Sequence, residues 1–259
     1  MTLWHMSGAG NDFMVMDARG IHPDFVALSQ DFCARTGADG FMALDHSNIA
    51  DFKLHFYNSD GSRGEMCGNG ARCICRFAYD QGLVGESMVV ETDAGLVPGI
   101  RLAEDRYRVQ LHNPSVLDLD RIPGVCYVEE GDPGIPHAVM EVPDLTWDKK
   151  EQLRETALHL LNHPAFPKGV NVNFYAPLSD STIRVLTFER GVDDYTLACG
   201  TGCAAIACAL WAQGKLPGET LTLRNQGGDL TVTVKSSGDA VTSLLLEGPA
   251  EILKIYENL

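Results

Sequence analysis

Short alternating runs and two apolar helical stretches dominate the pattern of hydrophobic and polar positions. Asp51 to Tyr57 and Ile183 to Phe188 alternate as half-buried strands do. Further β-rich runs are Met88 to Glu91, Tyr107 to Leu111, Ala138 to Val142, Val170 to Tyr175, Leu221 to Leu223, Leu230 to Val234 and Val241 to Leu246. Ala71 to Asp80 and Cys203 to Ala212 consist mostly of good helix formers, and the glycine after each suits a C-cap. Asp24 to Ala34 and Glu151 to Leu161 also read as helices. The most apolar run, Leu197 to Ala212, is shorter than the roughly 20 residues of a membrane-spanning helix, so it reads as a buried helix. Many short strands around two helices with little polar face predict an α+β fold in which a mixed sheet wraps each helix.

An internal repeat organises these elements. Cys67-Gly68-Asn69-Gly70 is followed, after ten residues, by Gln81-Gly82, and Cys199-Gly200-Thr201-Gly202 is followed at the same spacing by Gln213-Gly214. Asn58 precedes Cys67 by nine residues and Arg190 precedes Cys199 by nine, each closing an alternating run. The cysteines lie 132 residues apart, about half the chain, as duplication of a half-sized unit would give. Two similar domains are expected: residues 1–115 carrying Cys67 and residues 116–250 carrying Cys199, with residues 250–259 packing on the first. Pro114, Pro123 and the absence of periodicity place the boundary between Asn113 and Gly124.

Composition narrows the chemistry. Among 259 residues, 20 Lys+Arg against 35 Asp+Glu give a charge of −15, the opposite of a nucleic-acid-binding footprint. A hydrophobic fraction of 45 % with 21 % charged residues suits a packed core and not a disordered chain. The N-terminus shows no basic and then apolar export signal, and eight cysteines in that context imply a reducing, cytoplasmic setting. No Cys-x-x-Cys pair is present, so no metal site is expected.

A cysteine at a helix N-terminus sits where unpaired N–H groups and the helix dipole favour an anion, hence a thiolate that can act as base or nucleophile. The adjoining glycines let backbone approach a ligand, and the same N–H groups can hold a carboxylate. Two such units related by pseudo-symmetry would present Cys67 and Cys199 to one cleft from opposite sides, the geometry for taking a proton from one face of a carbon and returning it to the other. Cys33, Cys73, Cys75, Cys126, Cys203 and Cys208 read as buried or motif-free thiols without a catalytic role.

These residues resemble the diaminopimelate epimerases. The resemblance rests on Gly8-Ala9-Gly10-Asn11-Asp12-Phe13, Asn58-Ser59-Asp60-Gly61-Ser62, Cys67-Gly68-Asn69-Gly70-Ala71-Arg72-Cys73, Glu189-Arg190-Gly191 and Ala198-Cys199-Gly200-Thr201-Gly202. Gly37-Ala38-Asp39-Gly40 and Gly134-Ile135-Pro136-His137 are weaker additions, and the blocks span nearly the whole chain. The resemblance implies two pseudo-symmetric domains, each a sheet curled around a central helix, with the site in the cleft between them. It implies an isomerase, free of pyridoxal phosphate and metal, that converts LL-diaminopimelate to the meso form on the way to lysine and peptidoglycan.

By the same resemblance Cys67 and Cys199 are the two catalytic bases. Gly68, Asn69, Gly200 and Thr201 hold the reacting carboxylate through backbone N–H groups, and Glu189 binds the reacting ammonium. Asn11, Asn58, Asn171 and Arg190 grip the distal end, although Asn173 lies on the same strand face as Asn171. Ser7 stands where many members have His, and Ile135 where many have Asn. The partner is therefore a small amino acid and neither nucleic acid nor membrane, and formation of a homodimer is left open. The rival readings are a racemase of the same fold acting on another amino acid, and a thiol redox sensor.

Overall fold

The computed structural model describes residues 2–64 and 66–257, which form a mixed α+β fold rich in strands. Two compact units divide the chain: Met1–Gln110 with Glu247–Leu259, and Leu111–Leu246. The first contains β1 (Thr2–Gly8), β2 (Asn11–Asp17), α1 (Phe25–Thr36), β3 (Gly40–Asp45), β4 (Phe52–Asn58), β5 (Arg63–Gly64), α2 (Gly68–Asp80), β6 (Ser87–Thr92), β7 (Gly95–Arg101) and most of β8 (Arg106–Leu111). The second contains β9 (Pro114–Ile122), β10 (Val125–Gly131), β11 (Gly134–Glu141), α3 (Lys150–Leu161), β12 (Asn171–Ser179), β13 (Thr182–Glu189), β14 (Asp194–Thr196), α4 (Gly200–Ala212), β15 (Thr220–Asn225), β16 (Gly228–Ser237) and most of β17 (Ala240–Pro249). The last strand, β18 (Glu251–Glu257), pairs antiparallel with β1 of the first unit.

The repeat seen in the cysteine motifs extends to strand pairing. In the first unit β1–β2 is antiparallel, β2–β3 parallel, β3–β4 and β4–β5 antiparallel, β4–β6 parallel and β6–β7 antiparallel. In the second, β10–β11, β11–β12, β12–β13, β13–β14, β13–β15 and β15–β16 follow the same sequence of directions. The stretch from Asn113 to Gly124, where the domain boundary is expected, forms β9, which pairs antiparallel with β10. Its prolines stand at the strand start and just past its end, where a missing ladder N–H costs little.

In each unit the sheet buries a central helix. α2 packs against β1, β2, β3, β6 and β7, and α4 against β9, β10, β11, β12 and β16. Strands surround α4 so closely that its flanks are mostly small: Ala204, Ala205, Ala207 and Cys208 are fully buried. Ile206 is likewise sealed from solvent, a burial that contributes about 1.5–3 kcal/mol. The opposite sheet face carries a second helix. α1 covers Met14, Met16, Phe41 and Tyr57 through Phe32 and Cys33, and α3 covers Val172, Phe174 and Phe188 through Ala157 and Leu160.

This two-sided burial explains the strands absent from the hydrophobic pattern. In β2, Phe13, Met14, Val15 and Met16 are all buried, so no alternation marks the strand. The Gly-rich segment between β1 and β2 is a hairpin turn with Ala9 at φ 59° and Gly10 at φ 88°, the left-handed pair that two-residue hairpins use. The central helices also begin earlier than their helix-forming residues suggest, since Gly68 and Gly200 open the first turns. No helix among the described residues is long and apolar enough to cross a membrane.

One buried group strains this core. Glu130 of β10 lies 3 % exposed, neither carboxylate oxygen has a hydrogen-bond partner, and Cys208 of α4 is near enough for its charge to act on the thiol. Burial pushes its carboxyl well above the ordinary 4.5. Above that value the unfolded chain loses a proton that the folded chain keeps, so stability falls with rising pH by about 1.4 kcal/mol per unit until the folded group ionises. Glu130→Met is expected to raise the denaturation midpoint at pH 8, with the gain shrinking toward pH 4. Urea unfolding curves that shift equally at both pH values would contradict it.

Candidate active site

In the first unit, Cys67 caps α2 from an extended conformation (φ −128°, ψ 120°), and its carbonyl accepts the Ala71 N–H at 2.7 Å. The first N–H groups of a helix lack carbonyl partners within it, so this end favours an anion. Cys67 itself is half-buried, while Gly68, Asn69 and Gly70 are buried. Gly8 of β1 must be glycine, because a Cβ there would lie 2.7 Å from the Asn69 carbonyl oxygen. The helix N-terminus is therefore held against β1 backbone.

Side chains tie this turn to the other sequence-predicted residues. Arg72, fully buried, donates from Nη1 to the Gly68 carbonyl at 3.1 Å, from Nη2 to Asn69 Oδ1 at 2.9 Å and from Nε to the Pro249 carbonyl at 3.1 Å. Asn69 Nδ2 donates to Asn11 Oδ1 at 3.1 Å, and Asn11 Nδ2 donates to Asp39 Oδ2 at 2.6 Å. Asn58, exposed at the β4 end, donates to Ser62 Oγ at 2.9 Å. Its neighbour Ser59 donates its N–H to the Asp39 carbonyl at 3.1 Å. Asn11, Asn58, Gly68 and Asn69 thus gather around Cys67's end of the unit.

In the second unit Cys199 caps α4 from a matching conformation (φ −118°, ψ 113°). Its sulfur accepts the Gly202 N–H at 3.4 Å and lies 3.5 Å from Thr201 Oγ1. Burial pushes the thiol well above its ordinary value and the Glu189 carboxylate adds to that, while the Thr201 and Gly202 hydrogen bonds pull the other way. The helix end alone led us to expect a thiolate here; desolvation and a neighbouring anion outweigh it, and Cys199 rests as a thiol. Glu189 in turn accepts from Thr196 Oγ1 at 2.7 Å.

Asn171 and Asn173 differ in their hydrogen bonds. Asn173 is fully buried and committed: Nδ2 faces His137 Nδ1 and donates to the carbonyls of Ala138 and Asn171, while Oδ1 accepts from Thr187. It also packs on α4, since a Cβ at Gly202 would lie 2.1 Å from Asn173 Oδ1. Asn171 uses Oδ1 to accept the Arg190 N–H at 3.0 Å, which places those two residues side by side. The Arg190 guanidinium donates to the Lys168 carbonyl, and its methylene stem passes against Gly169, whose missing Cβ makes room for it.

His137 was legible only as part of a weaker block. It is fully buried in this network, Nε2 has no hydrogen-bond partner, and burial, with Arg190 adding, pushes it down to about 3, so the ring is neutral. Of the two departures from the resembled pattern, Ser7 is buried in β1 and Ile135 is half-buried in β11, opposite Glu130. His159 and His163 stand four apart but His163 lies beyond α3, and its Nδ1 accepts the Ala165 N–H. Among the described residues no three His, Cys, Asp or Glu side chains gather as a metal-ligand set.

The fold is that of a group of two-unit α+β proteins. A phenazine biosynthesis protein of the PhzF family from Bacillus anthracis superposes with a TM-score of 0.77 at 16 % identity, covering 100 % of this chain and 99 % of that one. A hydroxyproline epimerase from Agrobacterium vitis superposes with a TM-score of 0.72 at 19 % identity, covering 99 % and 90 %. Sequence narrows the class. The family described as diaminopimelate epimerase matches residues 3–116 and 132–253. Diaminopimelate epimerases from Aquifex aeolicus and Alkaliphilus metalliredigens are 36 % and 34 % identical, covering 100 % and 95 % of this chain and 97 % and 93 % of theirs. The chain belongs to the diaminopimelate epimerase family and is an isomerase.

The electrostatics around Cys199 have a direct readout. Glu189→Gln removes the anion that raises the thiol and is expected to move the pH midpoint of Cys199 alkylation by iodoacetamide downward. Thr201→Val removes a hydrogen bond that lowers it and is expected to move the midpoint upward. Mass spectrometry of the Cys199 peptide across pH 7 to 11 reads both, and shifts of the same sign would refute the assignment.

Proposed function

We propose that the chain interconverts LL- and meso-diaminopimelate without a cofactor, in the cytoplasm and toward lysine and peptidoglycan, with Cys67 and Cys199 as two bases acting on one Cα. The observation that carries this reading is the duplicated topology that ends each central helix on a cysteine-capped N-terminus. One thiolate takes the α-proton, leaving its electron pair delocalised into the carboxylate. The other thiol gives its proton to the opposite face, and each sulfur finishes in the other's protonation state.

The N–H groups of Gly68, Asn69, Gly200 and Thr201 hold the reacting carboxylate and stabilise the charge that develops on it. No electron sink takes part, so this electrostatic contribution has to be large. Glu189 receives the reacting ammonium. Its carboxylate raises Cys199 in the unliganded chain; a bound ammonium offsets that charge, so substrate binding itself brings Cys199 closer to ionisation. Asn11, Asn58, Asn171 and Arg190 grip the distal amino-acid end, where the planar Arg190 fork suits a carboxylate. Asn171 is preferred to Asn173 because the Asn173 amide is already committed on both sides.

Ile135 favours one second reading, a racemase of the same mechanism acting on another amino acid, because it places an apolar side chain where many relatives carry an amide. One experiment separates the two. Solvent-deuterium incorporation at Cα of diaminopimelate, followed by NMR, is expected with inversion in the wild type. Cys67→Ala and Cys199→Ala are each expected to lower epimerisation by about 10²- to 10⁴-fold. Absence of exchange in fully reduced wild type would remove diaminopimelate, and a panel of single-centre amino acids would then identify the substrate.

A further inference from the structure

A side-chain amide can be turned over with almost no change of shape, so what an asparagine offers a ligand depends on what fixes its orientation. Asn11 lies in a chain of hydrogen bonds whose two ends cannot be reversed. At one end Arg72 can only donate, and it donates to Asn69 Oδ1 at 2.9 Å. This turns Asn69 Nδ2 toward Asn11, whose Oδ1 accepts at 3.1 Å. Asn11 Nδ2 then faces Asp39, which as a carboxylate can only accept, and does so at 2.6 Å. Turning either amide over would set like groups against each other at both of its bonds.

We propose that Arg72 and Asp39 are positioning residues that hold the Asn11 amide in one orientation, so that it presents its second Nδ2 N–H to an anionic group of the substrate. The assignment rests on the reading above that Asn11 contacts the distal end of an amino acid, and it adds that the contact is a donated hydrogen bond to a carboxylate. Asp39 also fixes the surrounding backbone: Oδ2 accepts the Asp12 N–H at 3.1 Å, the Asp39 N–H donates to the Asp12 carbonyl at 3.0 Å, and the Asp39 carbonyl accepts from Ser59 beside Asn58. One residue thereby sets the spacing of two of the groups assigned to the distal grip. Arg72 holds the other end rigid, since its guanidinium joins the first turn of α2 to the Pro249 carbonyl ahead of β18.

Asp39→Ala tests this with little risk to folding, because the residue is exposed and its backbone N–H keeps its bond to the Asp12 carbonyl. The change removes the oxygen that accepts from both Asn11 Nδ2 and the Asp12 N–H, so the Asn11 orientation is no longer imposed from that end. The expected result is a KM for diaminopimelate raised about fivefold to tenfold, the loss of one oriented hydrogen bond, with kcat falling less. Adding Asp39→Ala to Asn11→Ala is expected to change KM no further, because the positioned group is already gone. The Asn11 side-chain amide resonance in a ¹H–¹⁵N spectrum of the unliganded protein should move in Asp39→Ala, a readout that needs no substrate. Additive effects on KM, or an unmoved Asn11 resonance, would overturn the proposal. A moved resonance in a chain whose wild type fails to epimerise diaminopimelate would leave the orientation standing and remove the substrate reading instead.

Discussion

A helix enclosed by strands on its flanks can offer chemistry only at an end, and that constraint governs each unit. α2 and α4 are buried along most of their length, so their side chains serve packing. At the N-terminus the helix still carries N–H groups that its own carbonyls cannot reach. Burying such an end without a partner is costly, and the structure answers with small residues, a cysteine cap and close backbone contact. Gly8 against the Asn69 carbonyl and Gly202 against the Asn173 amide show how tightly each end is seated. The packing that excludes water from the helix thus leaves a short, preorganised set of donors beside a sulfur.

Burial sets the protonation of the groups nearby. A thiol at a helix end in water would lean toward the anion; Cys199 does not, because the desolvation of a buried sulfur and the Glu189 carboxylate both oppose charge. His137, pushed down to about 3 in the same unit, is neutral for the same reason and adds no charge beside Arg190. Burial thus keeps the thiol and the imidazole uncharged while Glu189 and Arg190 carry the charge around them.

The sequence made the duplicated motifs legible because fixed spacing survives where side chains diverge: the Cys-Gly-x-Gly turns, the Gln-Gly stops and the preceding alternating strands all recur at one interval. Strands with one solvated face, such as β4, were visible for the same reason. β2 and β10 were not, since burial on both faces removes the period-two signal on which such a reading depends. The relay through Arg72 and Asp39 was also hidden. Arg72 and Asp39 stand in motif blocks that give them no role; only the parallel pairing of β2 with β3 brings Asp39 beside Asn11. Hydrogen-bond direction belongs to the fold and not to the motif.

The two copies share a backbone frame but have been tuned in opposite directions. Asn69 and Thr201 occupy the same place in their turns, as do Arg72 and Ala204 three residues later. In the first copy the asparagine looks inward to a buried guanidinium and outward to Asn11, so the turn is braced by a cation and by a chain of amides. In the second the threonine hydroxyl turns to its own sulfur, no cation occupies the matching position, and the nearby charge is the Glu189 anion. Duplication has kept the turn and its cysteine while exchanging the side chains that brace it, a buried cation and a chain of amides in one copy against a hydroxyl and a nearby anion in the other.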